Sequence, residues 1–268
     1  QSPLKVHVSI LPQKYFVERI AGDLAQVDVL VKPGKSPATY SPSPDQIKKL
    51  AGSDVYFRIG VPCENGFLHK IEDIAHKIQV VDTRKGIRLR DMKAHDHHEE
   101  GQEVHEKEHG HEEHAHHEEH GDDHGHQGKD PHIWMSPVLV KQQAETIFQT
   151  LVKLAPENKT VFEKNHRAFA RDLDDLHREL TGILAPIKGE NLFVFHPAFG
   201  YFADEYGLHQ IAVEKMGKAP KRKEQGNNFG LEEEYNDLID EFMEKKERTQ
   251  LSTDQLLNAV YLRMQGVN

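Results

Sequence analysis

The sequence contains a single cysteine, Cys63, and no run of about 18 apolar residues, the minimum for a membrane-spanning helix. One cysteine cannot form an internal disulfide, which excludes a small secreted domain held together by cross-links. The missing apolar run excludes a membrane span. Hydrophobic residues still make up 37% of the 268 positions. That is enough for two packed α/β lobes, or one large domain, with real cores.

Basic surface is also scarce, once the charge is apportioned along the chain. The net charge is −10, but residues 95–130 hold thirteen acids against Lys107 and Lys129, which gives −11, so the remainder carries about +1. A near-neutral remainder lacks the basic surface that contacts with a phosphate backbone require. We therefore expect no nucleic-acid partner.

Apolar, β-rich runs alternate with helical patterns in the first third of the chain. This alternation predicts an α/β fold in which parallel strands are covered by helices. Ser43 precedes Pro44, a pairing that predicts a capped helix start. The predicted strands are 6–11, 27–31, 55–59 and 79–82, and the predicted helices are 15–21 and 44–51.

A long amphipathic pattern dominates the second half. Apolar residues recur at three- and four-residue steps over 156–184, which predicts one helix about 40 Å long that could tie two lobes together. Further strands are predicted at 192–195 and 210–213, with a helix near 201–206 between them. The chain is accordingly divided into an N-terminal lobe, a linking helix and a C-terminal lobe with an atypical helical tail: 1–155, 156–184, and 185–268 with the tail at 224–268.

Residues 95–126 are rich in histidine and contain only one large apolar residue, Val104. Such a segment cannot bury a core, so we expect a disordered acidic loop over 95–129. Imidazole suits zinc, copper and nickel, and the loop would offer several weak, exchangeable sites. The alternative is a solvated linker with incidental metal affinity. The twelve histidines are His95, His97, His98, His105, His109, His111, His114, His116, His117, His120, His124 and His126.

His132 and His196 form a second set of candidate ligands. Each follows an apolar or turn-forming segment and precedes a proline or an aromatic residue, which places it on a rigid loop beside a core. Either one alone is more often a hydrogen-bonded structural histidine. Together, in a chain whose histidine-rich segment ends six residues before His132, they indicate metal ligation.

Four motifs carry a family resemblance. Residues 32–44, 56–62, 130–137 and 194–202 resemble the cluster A-I zinc and manganese solute-binding proteins of ABC importers (ZnuA/TroA type), and the resemblance covers residues 4 to about 220. It implies two lobes joined by one long helix, with a metal held between them by side chains from both. It also implies an exported periplasmic protein that works with an ABC importer membrane permease. The first five residues, followed at once by the strand-like run 6–11, are interpreted as a start from which a signal peptide has been removed. We expect a monomer.

The sequence departs from the family at its first ligand. Ala38 stands where the resemblance implies a metal-binding histidine. Glu64 is the candidate replacement, since a carboxylate is an ordinary zinc ligand, whereas the phenol of Tyr40 must first lose its proton. The alternative for Glu64 is an exposed carboxylate at a helix start. Cys63 is interpreted mainly as a packing residue.

A second departure is the tail, in which the acidic ligand implied by the resemblance has no clear match. Asp254 and Glu214 are the only suggestions. A truncated, frameshifted or variant C-terminus would all produce this pattern.

These observations predict a binding protein, not an enzyme. The leading hypothesis is capture of Zn(II) as cargo for an importer, with Mn(II) or Fe(II) as alternative cargoes. The second hypothesis is a histidine-rich zinc buffer or metallochaperone that acts mainly through residues 95–126. A zinc hydrolase is disfavoured, because the sequence contains no His-Glu-x-x-His motif, nucleophile elbow or paired acid and base.

Overall fold

The computed structural model of the chain describes residues 2–68, 78–92 and 128–212. Within these ranges, two parallel β-sheets are flanked by helices. No helix there is long and apolar enough to cross a membrane. The elements in chain order are β1 (Leu4–Val8), α1 (Leu11–Ala21), β2 (Ala25–Val29), α2 (Pro44–Ala51), β3 (Val55–Arg58), β4 (Gln79–Asp82), α3 (Pro137–Leu154), α4 (Lys159–Leu184), β5 (Asn191–Val194), α5 (Gly200–Tyr206) and β6 (His209–Ala212).

The first sheet has the strand order β2-β1-β3-β4, and every pairing is parallel. Val6 on β1 is in register with Val27 on one side and Val55 on the other. Parallel strands end at the same edge of a sheet, so the loops after β1, β3 and β4 lie together there. Ligand-bearing loops of an α/β protein are expected at this edge.

The predicted helix start at Ser43 is confirmed. The Ser43 hydroxyl accepts a hydrogen bond from the backbone N–H of Gln46 at 3.3 Å, and the Gln46 side chain accepts one from the N–H of Ser43 at 3.1 Å. This reciprocal capping box satisfies two backbone donors that α2 would otherwise leave open. It fixes the end of the loop that contains Ala38.

Helix α4 links the two parts of the molecule. Its N-terminal and central turns bury Phe162, Phe169 and Leu173 in the core formed by the first sheet, α1 and α3. Its C-terminal half buries Leu180 and Leu184 in a second core with β5 and α5. One 26-residue helix therefore packs against both cores, as the apolar periodicity predicted.

The second sheet pairs β5 with β6 in parallel. The α/β class, the flanking helices and the long helix are confirmed. Several predicted ends were shifted by a few residues. Helix α1 begins at Leu11, four residues earlier than predicted, because Pro12 is tolerated in the first helical turn. The predictions for the loop at 95–126 and the tail at 224–268 lie outside the described residues.

Candidate metal centre

Two histidines that are distant in sequence meet in the structure. His132 precedes the short 3-10 turn Ile133–Met135, and His196 follows β5. Their Nε2 atoms lie 3.2 Å apart, and the rings meet edge to face. His132 is buried, with 8% of its surface exposed, whereas His196 is exposed. The pair is therefore anchored on one side and open to solvent on the other.

The spacing of the two nitrogens suits a shared zinc ion. Zinc binds imidazole nitrogen at about 2.0–2.1 Å, and tetrahedral geometry then separates two such nitrogens by about 3.3 Å. The observed 3.2 Å matches this value. It is also the length of a hydrogen bond between one protonated and one unprotonated Nε2. Both interpretations are compatible with the observed distance.

Asp130 orients His132. Its Oδ1 atom lies 2.7 Å from Nδ1 of His132 and also accepts a hydrogen bond from the backbone N–H of His132 at 2.9 Å. Asp130 is itself buried, at 4% exposure. When Nδ1 donates its proton to this carboxylate, the lone pair of Nε2 is left facing His196, as a metal ligand requires. Sequence reasoning missed this role, although the Asp-Pro-His order could have suggested it.

Trp134 packs beside His132. Its ring centroid lies 5.0 Å from that of His132, and it packs against three of the hydrophobic clusters. It is the only tryptophan in the chain. Its fluorescence should therefore report directly on the surroundings of His132.

The structure does not bring Glu64 to the histidine pair. Its Oε1 atom accepts hydrogen bonds from the Ser9 hydroxyl at 2.6 Å and the Ile59 N–H at 2.8 Å. Its Oε2 atom accepts from the Gly60 N–H at 2.8 Å and from Arg58 Nε at 3.2 Å. Both oxygens are thus engaged within the first lobe. The carboxylate ties the loop after β3 to the end of β1.

The alternative interpretation of Glu64, an exposed carboxylate, is wrong, because the residue has 0% exposure. Tyr40, Ala38 and Cys63, the other residues considered for the first ligand position, also have surroundings that do not indicate a metal site. The Tyr40 hydroxyl donates to Gln46 at 2.9 Å, and Ala38 is exposed. Burial, and next the charge of Glu64, raises the pKa of the Cys63 thiol to about 12. Cys63 is buried in a hydrophobic cluster with Val61 and Ile87, which agrees with a packing role.

Among residues 2–68, 78–92 and 128–212, no group of three or more His, Cys, Asp or Glu side chains is placed to hold a metal ion. His132 and His196 therefore stand as a pair within this part of the chain. The loop histidines between 95 and 126 and the suggested ligands Glu214 and Asp254 lie outside the described residues.

Comparison with known proteins gives consistent matches. The sequence model of the family described as "ZnuA: Zinc-uptake complex component A periplasmic" matches residues 6–227. The high-affinity zinc uptake system protein ZnuA of Yersinia pestis is 30% identical over 209 residues, which cover 77% of this chain and 64% of that protein. The chain thus spans just under two thirds of the length of this relative.

Solved structures give the same answer for the fold. One titled "Crystal structure of ZnuA" superposes with a TM-score of 0.68 at 28% identity, covering 99% of this chain and 89% of the other. A second, a zinc-bound ZnuA deletion mutant lacking residues 138–173 of its own sequence, superposes with the same TM-score at 30% identity. It covers 99% of this chain and 87% of the other.

Proposed function

The chain belongs to the family of periplasmic zinc-uptake component A, and from this premise we propose that it captures a zinc ion at the His132–His196 pair. The observation that carries the proposal is the 3.2 Å separation of the two Nε2 atoms. It brings together two zinc-type ligands from segments on either side of α4. A relative named for zinc uptake supports the same cargo.

The ligand chemistry favours zinc over the harder cations. Two neutral imidazoles suit zinc, whereas Mn(II) is better served by carboxylate oxygens. Asp130 contributes a carboxylate, but its Oδ1 atom is engaged by His132. Fe(II) and Mn(II) are therefore weaker candidates as cargo.

The pair does not form a complete zinc site. Zinc normally takes about three or four protein ligands, or keeps a water in an open position. The remaining positions would be filled by solvent or by residues outside the described ranges. An open position suits a carrier, because a cargo ion has to leave again.

Delivery to the membrane permease of an ABC importer is the second half of the proposal. A carrier in the periplasm would bind the ion between its lobes and release it on docking. The exposed face of His196 offers the ion a route to solvent, while buried His132 holds the other side.

Metal titration tests the proposal most directly. The chain with residues 95–126 deleted should bind about one zinc equivalent tightly, measured by competition with a chromogenic chelator. The same deletion carrying His132→Ala and His196→Ala should lose that equivalent. Tight binding that disappears with the deletion alone would instead favour the histidine-rich buffer, in which the loop holds the metal.

A further inference from the structure

Helix α5 belongs to the second lobe, but its first turn also packs against the core of the first lobe. Tyr201, at 6% exposure, packs in one cluster with Ile10, Ile59 and Ile133. The next residue, Phe202, packs in the other core with Leu184 of α4. The boundary between the two lobes, called the seam below, therefore passes between the side chains of Tyr201 and Phe202.

The Tyr201 hydroxyl completes a backbone ladder of the first lobe. Residues 90–92 run antiparallel to residues 128–130, with the Asp130 N–H bonded to the Arg90 carbonyl at 2.9 Å. The second backbone bond of this pair, from the Arg90 N–H to the Asp130 carbonyl, is not made directly. The Tyr201 hydroxyl accepts from the Arg90 N–H at 3.0 Å and donates to the Asp130 carbonyl at 2.8 Å. The Tyr201 side chain, which comes from the second lobe, thus links the Arg90 N–H to the Asp130 carbonyl.

Arg90 adds a second contact across the same seam. Its guanidinium lies 5.7 Å from the centroid of the Tyr201 ring, and Nε pairs with Oδ2 of Asp204 at 3.1 Å. The guanidinium also crosses Gly200 so closely that a Cβ there would lie 1.9 Å from Nη1. A residue with a Cβ at position 200 would therefore force the Arg90 guanidinium to move. Gly200, Tyr201 and Asp204 together dock α5 on the Arg90 segment.

We propose that Tyr201 is a positioning residue that sets the spacing of the two histidines. Its hydroxyl donates a hydrogen bond to the carbonyl of Asp130, the residue that orients His132. Tyr201 also lies five residues after His196, on the segment that carries the second ligand. The hydroxyl is therefore connected to His132 through Asp130, and Tyr201 is joined to His196 along the chain. This inference rests on the proposed zinc-binding function.

Tyr201→Phe tests the inference, because it keeps the ring and removes only the hydroxyl. Tyr206→Phe is the matched control: it lies on the same helix with the same 6% exposure, but its hydroxyl contacts His177 at 3.3 Å within the second lobe. In the full chain, Tyr201→Phe should weaken zinc binding about tenfold, while Tyr206→Phe should change it less than about twofold.

A second readout separates positioning from simple loss of stability. The d–d spectrum of bound Co(II) should change in Tyr201→Phe, because the ligand angles change, and should stay the same in Tyr206→Phe. Both variants should lose some thermal stability. Equal zinc affinity for the two variants, or an unaltered Co(II) spectrum in Tyr201→Phe, would overturn the positioning role.

Two further arms keep the result decisive. If Tyr201→Phe does not fold, Asp204→Asn takes its place. Asp172→Asn is then the control, because Asp172 pairs with Arg19 at a similarly exposed site away from the seam. Asp204→Asn should weaken zinc binding about threefold and the control should not; equal affinities overturn the inference. Wild-type protein that binds no zinc at the histidine pair would overturn the proposed function, and the positioning role with it.

Discussion

The buried carboxylate of Asp130 holds the ring of His132 through Nδ1 at 2.7 Å and the backbone N–H of the same residue at 2.9 Å. One carboxylate oxygen thus contacts both the ring and the backbone of the histidine, and it favours the tautomer with the proton on Nδ1. The opposite nitrogen, Nε2, is the one that faces His196. Under the proposed function, Asp130 would support metal binding through His132 without being a metal ligand itself.

Asp130→Asn should therefore weaken zinc binding about 10- to 100-fold, the usual cost of losing a carboxylate behind a metal-bound histidine. Chelator competition measures the change. Asp91→Asn is the control, because Asp91 is exposed and pairs with Lys129 in the same ladder. An Asp130→Asn protein with wild-type affinity would show that the carboxylate does not support a ligand.

His132→Ala and His196→Ala should each weaken tight zinc binding about 100-fold or more, equivalent to about 2.7 kcal/mol, because water replaces a protein ligand poorly. His166→Ala and His177→Ala are the controls on α4. The His166 ring stacks on Phe148 at 4.8 Å, so its loss should lower the melting temperature without changing zinc affinity. Equal losses of affinity in all four variants would contradict the assignment.

Glu64→Gln should lower the free energy of unfolding by about 3 kcal/mol, because an amide cannot accept all four hydrogen bonds made by the buried carboxylate. Zinc stoichiometry should not change. Glu18→Gln is the control: Glu18 is exposed and pairs with Lys14 at 3.6 Å, so its loss should cost less than about 0.5 kcal/mol. Urea unfolding measures both variants. A stable Glu64→Gln protein that has lost zinc affinity would restore Glu64 as a ligand.

The stability of the first lobe should fall with acid through His7. Its Nδ1 atom lies 2.6 Å from the Ser53 hydroxyl, and the residue is only 4% exposed. Burial, opposed by the charge of Asp28 and reinforced by that of Lys49, lowers the pKa of His7. The unfolded chain then binds the proton more readily. This contribution to stability is complete above about pH 6.5 and is lost as the pH falls toward the folded pKa.

His7→Gln should therefore show a smaller loss of stability between about pH 7 and pH 5 than the wild type. Urea unfolding at the two pH values measures it. His209→Gln, at an exposed position, should follow the wild type. The same pH dependence in all three proteins would show that protonation of His7 is not coupled to folding.

Deletion of residues 95–126 should leave the fold and one tight site intact. The flanking segments are already held together, because the Met92 N–H donates to the Gly128 carbonyl at 3.1 Å. The number of zinc equivalents should fall, as measured by titration. The undeleted chain with the twelve loop histidines changed to asparagine should lose the same equivalents. Unfolding of the deleted protein, or an unchanged stoichiometry, would contradict the prediction.

Local patterns in the sequence determined much of the fold. Alternating apolar runs predicted the four strands of the first sheet, and the three- and four-residue steps predicted α4, because both periodicities record which side chains face a core. The cap at Ser43 depends only on residues within one turn. The resemblance of four motifs to a zinc-binding family was likewise detectable from the sequence alone. The family match over residues 6–227 confirms it.

Tertiary structure alone decided how the site is assembled. His132 and His196 are 64 residues apart, so their 3.2 Å contact depends on how the fold packs two separate cores against α4. The sequence left Glu64 with two interpretations, a ligand or an exposed carboxylate, and the structure shows it buried with both oxygens occupied. Whether a carboxylate binds a metal or a backbone depends on which donors the fold places around it, and that information is not local.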